Sequence, residues 1–550
     1  MSVLVDLFGY LSVLLHGCTI VAQSMAVGGV LFLIFLVRPL APELGRAGDE
    51  ILHGGLRITA WAAVGLVVCE VASIGLQAVV LIGTVDLSLG NVLSAGFAVA
   101  GEVRIAAGLL ILALVTSPSR SASIPALLAL AFIEISAAAF TTHGEARVDD
   151  RVRMLIVEGL HQLGAAIWIG GIPTFLMALN RLHDGIGWRR VSQRFSRMSM
   201  IGVALILVSG IAMTYSYIGD LAGFYGTVFG VMVSAKIFMF LELLALGGMN
   251  FLLTEKLRRN PATPIKRLKR FAEVEIGIGF SIFFAAAALT SSPPAIDLAH
   301  DRVTWAEVVE RNTPQPPVLH SPSHEALGIP ALQAKLDAEA AAQAREPAAA
   351  FVPGSDMSPP HNIDDILWSE YNHNWAGIFV GLCGLLALLH RAGLHWARHW
   401  PLVFIGLGLF LFLRSDPEVW PLGTVGFWDS FLDPGDMQHH VLLIALVVLA
   451  VFEWRCQNGR LAGTRAVYVF PLLTAAAGTA LLTHSHAIDN MKDQVLVEQS
   501  HTLLALVGIT AGWARWLELR LDPPGNRVAG WVWPVCFVVC GTILLFYREI

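Results

Sequence analysis

Long apolar segments constrain this chain more than any other feature of its sequence. A bilayer core about 30 Å thick needs roughly 20 apolar residues for one helix to cross it. Backbone polar groups inside a bilayer must be hydrogen-bonded within the protein, so such segments form helices. The sequence therefore predicts an all-α polytopic membrane protein with about 14 transmembrane helices. Their approximate bounds are 8–37, 55–83, 97–116, 124–142, 154–180, 200–218, 228–253, 272–292, 373–390, 400–414, 438–454, 467–484, 498–517 and 530–547.

The composition agrees with this class and excludes several others. Of the 550 residues, 55% are hydrophobic and 14% are charged, whereas soluble domains carry about 25% charged residues. The net charge of −6 provides no basic surface for nucleic acid, and the glycine-rich phosphate loop of ATPases is absent. The six cysteines form no CxxC pair, so we expect neither a disulfide framework nor a thiolate zinc site. We expect a protein of the lipid bilayer that is not an enzyme.

One segment divides the chain into two membrane blocks. Residues 293–372 hold 11 of the 26 prolines and an alanine-rich stretch at 331–350, a composition that does not build a packed core. We therefore expect an eight-helix membrane domain at 1–292, a Pro/Ala-rich linker at 293–372 and a six-helix membrane domain at 373–550.

The distribution of Lys and Arg predicts the orientation of these helices. One set of alternate loops holds 23 of the 36 basic residues, and the opposite set, which includes the linker, holds nine. Cytoplasmic loops of membrane proteins carry the excess of positive charge. Both termini and the linker are therefore predicted to lie outside the cytoplasm.

Ionisable side chains inside the predicted helices indicate ion pairs or functional sites, because they are costly to insert into a membrane. Each costs about 2.5–3.5 kcal/mol to insert at a helix centre. Glu102 and Arg104 are expected to form ion pairs between helices, whereas Lys236 and Glu242 lie on nearly opposite faces of one helix and need other partners. Three further carboxylates could lie along an ion path: Glu70, Glu134 and Glu158.

Histidines in the first block favour a metal site near its outer surface. His16 and His161 both lie seven or eight residues into helices that begin outside, which places them roughly 10–12 Å deep. His143 follows the fourth helix on the same side, and Met25 lies one or two turns below His16. Imidazole and thioether groups together suit copper. Two imidazoles at one depth would equally suit bis-histidine haem, and the alternative for each is a hydrogen-bonded structural histidine.

The second block repeats this pattern independently. Four predicted helices bring imidazoles to their outer ends, and Glu498 shares a helix face with the last of these histidines because it precedes it by three residues. Imidazoles with a thioether would hold copper, and imidazoles with a carboxylate alone could hold zinc. We expect an outward-facing metal or haem site formed by His373, His439, His440, His484, His486 and His501.

Several stretches of the chain resemble the CopD (PcoD) copper-resistance family of inner-membrane proteins. In the first block they are THGEAR from Thr142, EGLHQLGAAIWIGGIP from Glu158, RFSRMSMIGVALILVSGIAMTY from Arg194, YGTVFGVMVSAKIFMF from Tyr225 and LTSSPP from Leu289. The second block is similar to the C-terminal region of long members, through HNWAG from His373, QHH from Gln438 and THSH from Thr483.

The resemblance implies a copper function. It places the protein in a bacterial inner membrane with periplasmic termini and a periplasmic CopC-like copper-binding protein as a possible partner. Copper would be taken at periplasmic His/Met sites, His143, His161 and His16 among them, and passed across or within the membrane.

Two other functions stay open. The CopD fold also resembles that of two-haem membrane cytochromes, which keeps a b-type haem protein for electron transfer as an alternative. A copper chaperone for oxidase assembly is the third. Covalent c-type haem is excluded because the chain contains no CxxCH motif.

Overall fold

The computed structural model describes residues 8–322 and 363–549, apart from 86, 118–123, 146, 148, 300, 416–418, 424, 433, 462 and 484–490. Its described part is built from α-helices, consistent with the predicted all-α polytopic class. The apolar helices are α1 Phe8–Leu44, α2 Arg46–Val85, α3 Gly96–Thr116, α4 Ile124–Ala139, α5 Arg151–Arg181, α6 Gly185–Tyr217, α7 Val228–Arg259, α8 Lys266–Leu289, α9 Ile363–Arg391, α10 His395–Arg414, α11 Pro434–Gln457, α12 Arg465–Leu481, α13 Met491–Arg520 and α14 Gly525–Leu545.

Twelve of these helices within the described residues are long and apolar enough to cross a membrane. The shorter α4 and α12 lie at two of the predicted positions but fall below the length of a typical span. The multi-pass class is thus confirmed, and the number of 14 crossings stays a prediction. Several helices extend beyond the apolar windows because polar residues continue the helix outside the hydrocarbon, as Arg46 does at the start of α2.

The chain divides into two compact units. The first consists of Met1–Phe224, Met232–Ala299 and Leu482–Ser485, and the second of Tyr225–Val231, His300–Leu481 and His486–Ile550. About half of the predicted linker, including the alanine-rich stretch 331–350, lies outside the described residues.

The described part of the linker includes the short α-helix Trp305–Asn312, in the second unit. Its first turn is closed by a capping box between Thr304 and Glu307, which satisfies backbone N–H groups that a helix start leaves unpaired. The Thr304 backbone N–H, then Lys492 and the Thr304 hydroxyl, lower the pKa of Glu307 to about 2. Glu307 is therefore ionised at any physiological pH and keeps its ion pair with Lys492, at 2.9 Å.

Close backbone contact holds α1 against the middle of α5 in the first unit. A Cβ on Gly28 would lie 2.3 Å from the Ala166 carbonyl oxygen, and one on Gly170 would lie 2.0 Å from the Ser24 carbonyl oxygen. The contacted part of α5, Ala166–Gly170, is a π turn. Lipid tails are as apolar as the side chains they replace, so helix association in a bilayer depends on such close packing.

In the second unit, α9 and α14 also approach each other closely at glycine residues. The pattern Gly377-x-x-x-Gly381 is typical of close helix contacts. In the structure, a Cβ on Gly541 of α14 would lie 2.4 Å from the Cα of Gly381. Because the clash is with backbone atoms, it cannot be relieved by rotating a side chain.

Replacing Gly541 with Ala should therefore destabilise the protein by about 1–3 kcal/mol, the usual cost of overpacking. Thermal unfolding of the detergent-purified protein, followed by tryptophan fluorescence, measures this. Gly75→Ala is the matched control, because a Cβ at Gly75 meets no atom within 4 Å. Equal melting temperatures for the two variants would contradict the assigned contact.

Candidate metal-binding sites

A buried guanidinium organises the polar interior of the first unit. Arg104 on α3 is 3% exposed and forms ion pairs with Glu70 on α2 and Glu134 on α4. Its Nε donates to Glu134 at 2.9 Å, and its Nη2 donates to the Gln23 side-chain oxygen on α1 at 2.8 Å. One arginine thus joins four helices. The predicted pairing of Arg104 between helices is present, whereas Glu102 is exposed on the outer face of α3.

In this network, Glu70 and Glu134 stabilise the buried charge of Arg104. Each offsets the positive charge of Arg104, and an isolated charge in this environment would be costly. Gln23 extends the network, because its Nε2 donates to Gln162 on α5 at 3.0 Å. Glu134 keeps one carboxylate oxygen without a hydrogen-bond partner. Their further role on an ion path stays a prediction.

A second polar cluster surrounds Glu158 on α5. The Tyr217 hydroxyl of α6 donates to Glu158 Oε1 at 2.5 Å, and the Gly144 backbone N–H donates to the same carboxylate. Lys236 on α7 acts electrostatically on both Glu158 and His161. The other oxygen of Glu158 is buried without a hydrogen-bond partner. Glu158 therefore supplies the opposite charge near Lys236.

The hydrogen bonds around His161 define its tautomer. Its Nδ1 lies 3.0 Å from the Ser209 hydroxyl oxygen, and that hydroxyl donates its one proton to the Leu205 carbonyl at 2.5 Å. Ser209 must then accept from His161, so Nδ1 carries the imidazole proton. A neutral histidine protonated at Nδ1 presents a lone pair at Nε2, the form that binds metals.

The other predicted ligands of the first unit interact with residues other than His161. His16 on α1 is half-buried and within the electrostatic influence of Arg104. Met25, also half-buried, is two to three turns further along the same helix. His143 follows α4, with its Nε2 3.4 Å from the Leu289 carbonyl oxygen and its ring 6.2 Å from the ring of Tyr217. Tyr217 thus connects His143 to the Glu158 cluster.

The second unit brings two predicted ligands together. The ring centroids of His373 on α9 and His501 on α13 are 6.2 Å apart, with perpendicular planes. Each Nδ1 lies 2.9 Å from a carbonyl oxygen of its own helix, Ser369 for His373 and Val497 for His501. A carbonyl oxygen only accepts, so both Nδ1 atoms carry the proton and both Nε2 atoms carry the lone pair.

Tyr547 closes one side of this imidazole pair. Its ring stacks on His373 with centroids 4.0 Å apart. Burial, with the nearby Glu549 carboxylate, raises the pKa of Tyr547, so the phenol stays protonated and donates to Glu549 at 2.8 Å. The stacked ring restricts how His373 can turn and fixes the direction of its Nε2.

The remaining candidates of the predicted second block have other contacts or lie outside the described residues. His439 on α11 acts electrostatically on His373. His440 is half-buried against Phe431, with ring centroids 4.6 Å apart. Glu498 is 6% exposed and accepts from Thr502 at 3.3 Å. His484 and His486 lie outside the described residues.

No group of three His, Cys, Asp or Glu residues that could hold a metal occurs among the described residues. The structure therefore pairs His373 with His501 and aligns His161 with Glu158, but it does not join the predicted ligands into one closed coordination sphere. Their assignment as metal ligands stays a prediction.

Two features were missed at the sequence level. The Cys18 and Cys69 thiols lie close enough to interact between α1 and α2, although 50 residues separate them along the chain. The other is a second buried arginine, Arg515 on α13, which donates to Glu453 at 2.7 Å and Glu518 at 2.6 Å. Counting the intramembrane charges could have flagged Arg515, but no local spacing indicates the cysteine pair.

Comparison with known proteins confirms the family resemblance. Residues 189–289 match the family described as copper resistance protein D, CopD. A 178-residue region is 29% identical to the copper transport protein CutJ of Bacillus subtilis, and it covers 32% of this chain and 31% of CutJ. The chain thus matches about a third of the length of that relative. No solved structure matches the chain significantly.

The family match covers α6, α7 and α8. It contains Ser209, Tyr217 and Lys236, which act on His161 and Glu158, and ends before the predicted linker. The segment that matches the copper-related family therefore supplies the residues on one side of the Glu158 cluster.

Removing Arg104 should leave Glu70 and Glu134 buried without compensation, so Arg104→Ala should cost about 3–5 kcal/mol of stability. Folded yield and thermal unfolding in detergent test this. Arg190→Ala is the control, because Arg190 pairs with Glu43 at an exposed position and should cost at most about 1 kcal/mol. Adding Glu70→Gln and Glu134→Gln should recover part of the loss. No recovery would contradict a charge-compensating role.

Proposed function

We propose that this protein transports copper, taking the ion at outer His/Met sites and passing it across or within the bacterial inner membrane. The CopD match, the copper transport relative and the multi-pass helical fold support a role in copper transport or resistance. The positive-inside distribution supports periplasmic termini, and a periplasmic CopC-like protein would supply the ion. Copper is the cargo in this proposal.

The observation that carries the proposal is the pair formed by His373 and His501. A metal-ligating histidine generally donates its second ring N–H to a carbonyl or carboxylate, which fixes the tautomer and orients the ring. Both histidines do this through Nδ1. Imidazole nitrogens suit copper in either oxidation state, and a nearby thioether favours Cu(I). His439 and His440 would supply further imidazoles of the same unit.

His161 would act as an intermediate ligand deeper in the first unit. Its tautomer is set by Ser209, and Glu158 lies one helical turn away on the same face. Lys236 places a positive charge beside both groups, which would weaken the hold on a copper ion and favour its release. Such a site suits transient binding during transport better than permanent storage. His143 and His16 would serve the same path toward the predicted outer side, and Met25 would serve it further inward along α1.

Replacing His161 or His440 with Ala should lower cellular copper accumulation and change copper tolerance, because each removes an imidazole from the path. His53→Ala is the matched control. His53 is an exposed histidine on α2 that bonds to the Asp49 carbonyl oxygen of its own helix. Unchanged accumulation and tolerance in both test variants, at equal protein levels, would refute these two assignments.

The pair His373 and His501 leads to a prediction about the Cu(I) affinity of the purified protein. His373→Ala and His501→Ala should each weaken Cu(I) binding at least about tenfold, since one ligand of a small set is lost. Competition with a chromophoric Cu(I) chelator measures the affinity. His399→Ala is the control, because His399 bonds to Trp454 at 2.9 Å on an exposed surface. Wild-type affinity in both test variants would remove the pair from the copper site.

A b-type cytochrome is the second candidate, and the same pair favours it. Two imidazoles on different helices, each with its Nδ1 proton bonded to its own helix, could ligate a haem iron from opposite sides. The absorption spectrum before and after dithionite separates the two functions. Sharpened α and β bands on reduction would identify a cytochrome. A featureless visible region, in protein from cells supplied with haem, would eliminate it.

A further inference from the structure

A cavity of about 50 Å³ lies inside the first unit between α5, α6, α7 and α8. This is several times the volume that one buried water needs. Its polar lining consists of Glu275, Asn250, Ser192, Ser196, Ser199 and Thr254. The lining contains no histidine, cysteine or methionine. The candidate copper ligands therefore play no part in it.

Buried oxygen atoms without partners line this cavity. Ser192 is 1% exposed, and its hydroxyl has no hydrogen-bond partner. The Ser199 hydroxyl and the side-chain oxygen of Asn250 are likewise buried without partners. The side-chain nitrogen of Asn250 donates to Glu275 Oε1 at 2.6 Å, and the side-chain oxygen of Asn250 is the atom that has no partner. Buried polar atoms are normally satisfied, and three such oxygens around one cavity indicate a ligand that accepts their lone pairs.

Glu275 differs from the buried carboxylates that belong to ion pairs. It is 4% exposed, and the groups that act on it are the side chains of Asn250 and Trp168, both neutral. Glu70 and Glu134 have Arg104, and Glu453 has Arg515. A buried carboxylate without a cationic partner needs a proton or a bound cation.

The chemistry of the lining selects the class of cation. Its donors are carboxylate, amide and hydroxyl oxygens, which are ligands of hard cations, whereas copper prefers imidazole and sulfur. The lining supplies a single negative charge, which a monovalent ion neutralises. We propose that this cavity binds one alkali cation, such as Na⁺, through Glu275, Asn250 and Ser192. Ser199 lies about 10 Å further along α6, too far from Ser192 to bind the same ion directly.

The position of the cavity indicates the side from which the ion enters. Glu275 lies nine residues after Lys266, the first residue of α8, or about 14 Å along the helix. Ser192 lies seven residues after Gly185, the first residue of α6. Both helices begin at the loops richest in Lys and Arg, so the cavity belongs to the predicted cytoplasmic half of the unit. This cation site does not depend on the copper function.

The test is Na⁺ binding to the full-length protein in detergent. Radioactive ²²Na⁺ should bind with a stoichiometry of about one per chain. NaCl should also raise the melting temperature by at least about 2 °C above choline chloride at equal ionic strength, because a ligand that binds only the folded state stabilises it. Glu275→Gln should lose both effects. Glu273→Gln, two residues away and paired with Arg270, should keep them.

A second variant keeps the test decisive if Glu275→Gln fails to fold. Ser192→Ala removes one hydroxyl and should weaken Na⁺ binding several-fold while leaving the melting temperature in choline chloride within about 2 °C of wild type. Absence of Na⁺ binding by the wild type would overturn the proposal and leave Glu275 neutralised by a proton. Undiminished Na⁺ binding by Ser192→Ala or Glu275→Gln would overturn this location for the site. Copper affinity measured on the same samples is expected to stay unchanged.

Discussion

The fold depends on how it neutralises charge in the membrane interior. In the part of each unit that the structure describes, a buried arginine contacts two carboxylates: Arg104 contacts Glu70 and Glu134, and Arg515 contacts Glu453 and Glu518. Because removing charges from water is expensive, the helices that carry these groups can approach each other only in the arrangement that pairs them. In the second unit, Trp533 and Arg391 also bond to Glu518, which draws α9 and α14 into the same network.

This constraint separates carboxylates that hold the fold from those free for other tasks. Glu70 and Glu134 are committed to Arg104. Glu158 has one oxygen bonded to Tyr217 and one unpaired, beside an imidazole whose lone pair is available. Glu275 borders a cavity and has only neutral partners. The two classes could not be told apart by position in a helix, since all four lie within predicted spans.

The two candidate ion sites use different donor chemistry. The proposed copper ligands are imidazoles toward the predicted periplasmic ends of their helices, with Nδ1 protons bonded to carbonyl or hydroxyl oxygens. The cavity around Glu275 offers oxygen atoms alone and lies toward the predicted cytoplasmic half. Soft and hard cations would therefore be kept apart by ligand type as well as by depth. Such a separation would allow the protein to bind both ions without competition.

The sequence by itself determined the all-α membrane class, the positions of the apolar helices and the resemblance to a copper-resistance family, because apolar length and local motifs are properties of consecutive residues. Each of the fourteen predicted segments overlaps one of the apolar helices. The sequence also indicated that Arg104 needed partners and that histidines lie near one surface. Tertiary structure alone decided which partners these are: Glu70 and Glu134 lie 34 and 30 residues from Arg104, and Cys18 meets Cys69 across two helices. Such contacts depend on how helices rotate and pack, and no periodicity within a single segment records that rotation.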